Sequence, residues 1–373
     1  PMMPGRLVFS IALLFSFHGI AAYCQSVPGA DTLAAEKFFY AGARVHYGSM
    51  IIHSRAIKDI GNAYPLGIEL TLGRHSATGQ ARNACNCYPK SGVIIGFWDF
   101  DKPEILGRGV SATAFIEPVF GAGKRFSFSI RAGAGFAWLS HPYNPVTNPY
   151  NFSYSTHVAF PLLLGAVLDY RISQGTLLNF GILYNHISNG GLREPNKGIN
   201  WPTIALGLDF FRQPPRFPQR TVSDWKQATP QRKQASLTLF GTARQLNHEE
   251  LKKYPVLGME AWVNYRVSRL SRLGAGTLFL YDGSDGEEIR RNPLSNAHPY
   301  RAGLMLGHGF LLGRFVFSQA FGVYLYDSYK AADPVYQRYS LTHPLGKHLE
   351  AGVSLMAHRH VADFLDFRLG WRF

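Results

Sequence analysis

Much of the chain alternates between bulky apolar residues and small or polar ones. In 126–138, FSFSIRAGAGFAW, the even positions hold Phe, Phe, Ile, Ala, Ala, Phe and Trp, whereas the odd positions hold Ser, Ser, Arg, Gly, Gly and Ala. The segments 158–170, 203–210 and 257–267 have the same period. Because successive side chains of a strand point to opposite faces, this period predicts β-strands with one apolar face.

Segments of this kind fill two similar halves of the chain. Six to eight run from residue 235 to 373, and about eight precede residue 212. The latter lie near 36–48, 64–73, 92–100, 107–120, 125–139, 155–170, 175–189 and 201–211. The stretch between the halves, 213–234, is too proline-rich and charged for a strand. We therefore expect two β halves, 25–212 and 235–373, joined by a polar linker or loop.

The N-terminal segment has the order of a secretory signal. Arg6 precedes an apolar run from Leu7 to Ala22, and small residues follow. Cleavage after Ala22 or Cys24 would define residues 1–24 as a signal peptide. The run is short and punctuated by serine, which does not favour a membrane-spanning helix.

Composition changes the interpretation of the strands. Beyond residue 24 no apolar run reaches the roughly 20 residues of a spanning helix, yet aromatic residues make up 14% of the chain. An exported, aromatic-rich chain of alternating strands is typical of an antiparallel β-barrel of the bacterial outer membrane. We expect one all-β barrel of about 14–16 strands, or an eight-stranded barrel plus a second β unit. A soluble β-sandwich shares the period but does not explain the outward aromatic residues at strand ends.

Net charge and the possible metal ligands tell less about function than the strand pattern does. The net charge of +14 suits anionic lipid headgroups, and the export signal argues against nucleic acid. Cys85 and Cys87 have a spacing that is awkward for a disulfide, and we assign them no function. His358 and His360 lack a third ligand at useful spacing, so we expect no metal site.

One strand carries polar residues on its apolar row. In 176–188, TLLNFGILYNHIS, the bulky even row of Phe180, Ile182 and Tyr184 continues into His186 and Ser188. Parity therefore predicts that His186 and Ser188 face outward, toward lipid. Polar groups are costly there and are usually functional.

These residues have the chemistry of an ester hydrolase. Neutral His186 can take the hydroxyl proton of Ser188 and make its oxygen a nucleophile. Asn200 can accept a hydrogen bond from the imidazole, and Asn189, Gly190 and Asn196 can supply donors for an oxyanion. A polar strand end entering a Gly/Asn turn is the structural alternative.

The longer pattern is more specific. His186-x-Ser188-Asn189-Gly190, followed by Pro195-Asn196 and Gly198, resembles the lipid A 3-O-deacylase family (PagL type). Over roughly residues 35–212, the resemblance implies an outer-membrane barrel that removes the ester-linked acyl chain at position 3 of lipid A, without a cofactor. It implies His186 as general base, Ser188 as nucleophile, and Asn189, Gly191 and Asn196 around the oxyanion hole.

One departure from the family pattern leaves alternatives open. The family's third triad member is typically a glutamate, whereas Asn200 stands here, and Glu194 lies near enough in sequence to replace it. Outer-membrane phospholipase A uses a Ser-His-Asn triad with calcium, but it would have arginine at Gly191 and serine at Asn196. A catalytically silent pore or structural barrel is a third interpretation.

Two basic residues flank the predicted site. Arg193 and Lys197 could hold lipid phosphates or simply solvate a loop.

Overall fold

The computed structural model describes residues 37–218, 232–246, 250, 252–292, 296–329, 333–359 and 361–373. The predicted signal peptide, 1–24, lies outside this range, as does most of the predicted linker. In the described part, no helix is long and apolar enough to cross a membrane.

The described chain forms two closed antiparallel β-barrels of eight strands each. The first barrel consists of β1 (Lys37–Gly48), β2 (Leu66–Ser76), β3 (Tyr88–Asp99), β4 (Arg108–Phe120), β5 (Phe126–Leu139), β6 (Val158–Arg171), β7 (Thr176–Ser188) and β8 (Ile199–Phe211). The second consists of β9 (Lys233–Gln245), β10 (Lys253–Arg266), β11 (Ser271–Asp282), β12 (Tyr300–Leu312), β13 (Phe315–Asp327), β14 (Val335–Pro344), β15 (Leu349–His358) and β16 (Val361–Arg372). The predicted all-β barrel fold is confirmed. Of the two predicted arrangements, the structure has an eight-stranded barrel plus a second β unit, which is itself a barrel.

Short helices lie between some strands. A 3-10 helix (Arg55–Ile60) follows β1, α1 (Gly79–Cys85) follows β2, and α2 (Gly283–Arg291) follows β11. The first barrel closes where β1 pairs with β8, from Tyr40 opposite Phe211 to Gly48 opposite Thr203. The second closes where β16 pairs with β9. Closure satisfies the edge backbone groups that would otherwise face lipid unpaired.

Burial matches the alternation of the sequence. On β5, Phe128, Ile130 and Phe136 are exposed, while Ser129 and Arg131 between them are buried. In the second barrel the outward row of β16 includes the exposed Phe367, Leu369 and Trp371. Each barrel therefore has an apolar outer wall, as a lipid-facing barrel requires.

The inward rows carry ion pairs that cross each lumen. In the first barrel, Arg131 contacts Glu69 and Glu117 at 2.6 Å, and Lys90 contacts Asp169 at 2.7 Å. The second barrel has its own network, in which Arg338 contacts Glu260 at 2.9 Å and Asp366 at 2.7 Å, and Arg368 contacts Glu260 at 3.3 Å. Buried charges are tolerated when they are paired in this way.

Loops cover one end of the first barrel with an apolar cluster. It comprises buried residues from the loops and strand ends, among them Ile57, Phe100, Leu106, Tyr154, Ile187, Ile199 and Trp201. Burial raises the pKa of the Tyr154 phenol, whose hydroxyl donates to the Leu106 carbonyl. Because Ile187 and Ile199 belong to this cluster, it fixes the ends of β7 and β8 from the inside.

The expectation about the two cysteines is wrong, because Cys85 and Cys87 form a disulfide. α1 ends at Cys85, and Asn86 then adopts a left-handed conformation with φ 54°. This turn brings the two Cα atoms to 5.0 Å, which is within the usual range for a disulfide.

Candidate active site

Strand register brings together residues that are far apart in the motif. On β7 and β8, His186 lies directly opposite Asn200. On the other side of β7, His186 lies opposite Leu162, which is 46% exposed on the outer wall. Opposed residues of neighbouring strands share a face. The predicted outward direction of His186 is therefore confirmed.

The three predicted catalytic side chains form one hydrogen-bonded chain. The His186 Nδ1 atom lies 2.6 Å from the Asn200 Oδ1 atom. The His186 Nε2 atom lies 3.1 Å from the Ser188 hydroxyl. An amide oxygen can only accept, so Nδ1 carries the proton and Nε2 of the neutral ring is free to accept from Ser188. This is the tautomer that a general base needs.

His53 extends the chain beyond the predicted residues. The Asn200 amide nitrogen donates to the His53 Nδ1 atom at 3.0 Å, and His53 Nε2 donates to the Lys197 carbonyl at 2.8 Å. Every donor in the series therefore points the same way, from Ser188 to His186, Asn200 and His53. This arrangement orients the Asn200 amide with its oxygen toward His186.

Sequence reasoning missed His53, which lies in the β1–β2 loop, 147 residues from Asn200. No local motif marks a contact of this kind. Glu194 does not replace Asn200 as the partner of the imidazole. Its carboxylate accepts from the Asn196 backbone at 3.0 Å, and the His186 Nδ1 atom is bonded to Asn200.

The loop after Ser188 is braced by its own asparagines. The Asn189 backbone donates to the Asn196 Oδ1 atom at 2.9 Å, and Gly191 N donates to the Asn189 side chain at 3.1 Å. The Asn189 amide nitrogen donates to Ser155 at 3.1 Å and to the Arg193 carbonyl at 2.6 Å. Asn189 is thus engaged in holding the loop. The Asn196 amide nitrogen, by contrast, is buried and has no hydrogen-bond partner among the described residues.

Glycines shape this loop. Gly190, Gly191 and Gly198 all have positive φ, at 66°, 76° and 72°. A Cβ on Gly198 would stand 2.8 Å from the His186 ring and 3.4 Å from Ser188 Cβ. Glycine at 198 therefore leaves the space in which the imidazole lies, as well as supplying the conformation.

The surroundings of the site are mixed. Ser188 lies opposite Phe160 on β6 and is 9% exposed. The side chains of Arg193 and Lys197 are exposed at the loop surface. Among the described residues, no cluster of three or more His, Cys, Asp or Glu side chains could hold a metal ion.

Comparisons with known structures are weak, and no curated protein matches the chain. Neisserial surface protein A is 11% identical, with 46% of this chain and 96% of that chain covered and a TM-score of 0.32. A mutant Rhodopseudomonas blastica porin is 8% identical, with 91% of this chain and 100% of that chain covered and a TM-score of 0.21.

Family models match both barrels. Residues 70–209 match the model of lipid A 3-O-deacylase (PagL), and residues 233–373 match that of the acyloxyacyl hydrolase C-terminal domain. The first match includes the strands and loop that carry the site, and the second spans the second barrel. The chain is a β-barrel protein of the bacterial outer membrane, and it belongs to the lipid A 3-O-deacylase (PagL) family of hydrolases.

Proposed function

We propose that the chain hydrolyses the acyl ester at position 3 of lipid A, with Ser188 as nucleophile and His186 as general base. The observation that carries this proposal is the direction of the hydrogen bonds. His186 donates through Nδ1 to Asn200 at 2.6 Å and so presents a lone pair on Nε2 to the Ser188 hydroxyl at 3.1 Å. Family membership supplies the substrate class.

The reaction then takes the serine-hydrolase course. Ser188 Oγ bonds to the ester carbonyl carbon while its proton moves to His186 Nε2. Collapse of the tetrahedral intermediate breaks the bond to the sugar oxygen, which takes the proton from His186. Water, deprotonated by the same imidazole, releases the fatty acid and regenerates Ser188.

Two neutral groups take the place of the usual acidic partner. Asn200 holds the ring in the productive tautomer, and His53 holds the Asn200 amide. An amide stabilises the imidazolium less than a carboxylate does, so we expect a slower enzyme than one with an acidic third member.

The oxyanion needs a fixed donor, and Asn196 is the best candidate. Its amide nitrogen is buried without a partner among the described residues, a state that normally costs free energy and calls for an explanation. In this proposal it donates to the oxyanion in the transition state. Asn189, whose donors are engaged, shapes the loop instead.

The outward direction of the site fits a substrate that stays in its leaflet. His186 follows the exposed Tyr184 on the outer wall, so an acyl ester can approach laterally from the outer leaflet. In this proposal Arg193 and Lys197 meet the lipid phosphates by charge.

A phospholipase A activity is the second candidate, and Asn200 is the observation that favours it. A Ser-His-Asn triad with calcium is the arrangement of that class, but Gly191 and Asn196 differ from the residues it would have. A conducting pore is less well supported, since ion pairs such as Arg131–Glu69 cross the first lumen.

The test is Ser188→Ala, with lipid A from cells carrying wild type or variant compared by mass spectrometry. Loss of one hydroxyacyl chain with wild type alone supports the proposal. Ser354→Ala, a serine on the seventh strand of the second barrel, is the matched control and should retain deacylation. Unchanged lipid A with calcium-dependent lysophospholipid release would favour the phospholipase, and ion conductance without either product would favour the pore.

A further inference from the structure

The closing seam of the second barrel is open at one end. β16 pairs with β9 from Phe367 opposite Gly241 to Arg372 opposite Ser236. β9 nevertheless continues to Gln245, and β16 begins at Val361. Residues 242–245 and 361–366 thus form the two rims of an opening in the seam, the notch. The unpaired N–H and C=O groups of a strand edge can form hydrogen bonds with other backbone segments.

The loop that follows Ser188 in the first barrel lies in this notch. On one rim, Leu365 N donates to the Gly190 carbonyl at 3.2 Å. On the other, the Gln245 Oε1 atom accepts from Glu194 N at 3.1 Å. The fit is close, because a Cβ on Gly191 would stand 3.1 Å from the Asp363 carbonyl.

The rims are held by contacts of their own. Arg244 donates to Asp363 across the notch and to Ser284 at 2.7 Å. Gln245 is buried, and its amide nitrogen donates to the Glu250 carbonyl at 2.7 Å. The Gln245 oxygen is therefore fixed in direction before it meets the loop.

From Gln245 the contacts lead to the proposed oxyanion donor. Gln245 fixes the backbone of Glu194, whose carboxylate accepts from Asn196 N at 3.0 Å. The Asn196 side-chain oxygen in turn accepts from Asn189 N at 2.9 Å. The contacts of the Asn196 backbone and of its side-chain oxygen together fix the direction of its amide nitrogen.

We propose that the second barrel completes the active site: its notch docks the loop 189–196, and Gln245 is the positioning residue that sets Asn196. This inference rests on the proposed function for its catalytic consequence, although the docking itself does not. It gives the second barrel a task in catalysis even though the proposed triad lies in the first.

The test compares two near-isosteric changes in the full chain, Gln245→Met and Gln245→Glu. Both variants lose the amide donor to the Glu250 carbonyl; methionine also removes the acceptor oxygen, whereas glutamate keeps an acceptor for Glu194 N. Gln234→Met is the matched control, because Gln234 accepts from Arg272 at 3.3 Å toward the other end of the same strand. Amide hydrogen exchange of residues 189–196 reports docking, and kcat and KM for lipid A report catalysis.

We expect Gln245→Met to speed exchange in the loop and to lower kcat about fivefold, the effect of one hydrogen bond, with KM unchanged. Gln245→Glu should restore part of both, because it keeps the acceptor but not the donor to Glu250, and Gln234→Met should leave both as in wild type. Loop protection equal to wild type in Gln245→Met would overturn the proposal, as would equal losses in the Met and Glu variants. If wild type leaves lipid A intact, the proposed function fails, and the exchange data alone still decide whether the notch docks the loop.

Discussion

The seventh strand of each barrel ends near a histidine, and the two histidines have opposite surroundings. β7 presents His186 on the outer wall, bonded to Ser188 and Asn200. β15 ends at His358, which is buried, with Nε2 3.0 Å from the Tyr324 hydroxyl and Nδ1 3.5 Å from the Asp363 carboxylate. The end of the seventh strand thus carries the proposed nucleophile and base in one barrel and a buried polar contact in the other.

The connection after each of these strands explains the difference. After Ser188, residues 189–198 form a loop before β8 begins at Ile199, and the register then sets Asn200 opposite His186. After His358 the chain turns at Arg359, with φ 54°, and β16 begins at Val361. A catalytic histidine on this architecture needs the outward row and also a loop that returns with an orienting partner.

The largest effect should separate the two histidines. His186→Ala removes the proposed general base, and we expect deacylation to fall at least about a thousandfold. His358→Ala in the second barrel should lower deacylation by no more than the roughly fivefold effect expected of the notch, because His358 contacts Tyr324 and the rim residue Asp363 instead of the proposed nucleophile. Lipid A mass spectrometry measures activity, and heat-modifiable gel mobility checks folding. Equal losses in two folded variants would remove the contrast between the barrels.

A smaller effect should come from glycine. Gly198→Ala places a methyl group 2.8 Å from the His186 ring at a φ of 72°, and a displaced imidazole should lower kcat about ten- to a hundredfold. Gly313→Ala in the β12–β13 turn is the matched control, since Gly313 has φ 68° and open space around it. It should cost about 1 kcal/mol of stability and leave kcat unchanged. A similar fall in kcat for both would point to backbone strain in place of ring displacement.

Much of the strand pattern and of the candidate site could be predicted from sequence, because the information is local. Strand period placed His186 on the outer row, and the motif placed Asn200 fourteen residues later, at the position that the structure sets opposite His186. The Cys85–Cys87 disulfide could not be predicted in this way. It depends on the left-handed conformation of Asn86, and the conformation of a single residue leaves no periodic pattern in the sequence.

The long-range contacts could not be predicted. His53 meets Asn200 only because β1 and β8 close the first barrel, and closure depends on register between strands at opposite ends of the chain segment. Gln245 meets Glu194 because the seam of the second barrel is incomplete. A strand pattern specifies faces, whereas these contacts depend on which edges meet.

The smallest effect tests the contribution of His53, the residue that sequence did not indicate. His53→Ala removes the acceptor of the Asn200 amide, so the amide can turn and leave His186 Nδ1 without its partner. One such hydrogen bond corresponds to about a fivefold fall in kcat, with KM unchanged. His348→Ala is the matched control, because His348 stacks on Trp371 in the second barrel and its Nδ1 contacts the Arg372 carbonyl. His53→Gln, which keeps an acceptor oxygen, should recover part of the rate. A rate equal to wild type in His53→Ala would mean that Asn200 holds the imidazole without support from His53. The functional hydrogen-bonded chain would then consist of Ser188, His186 and Asn200.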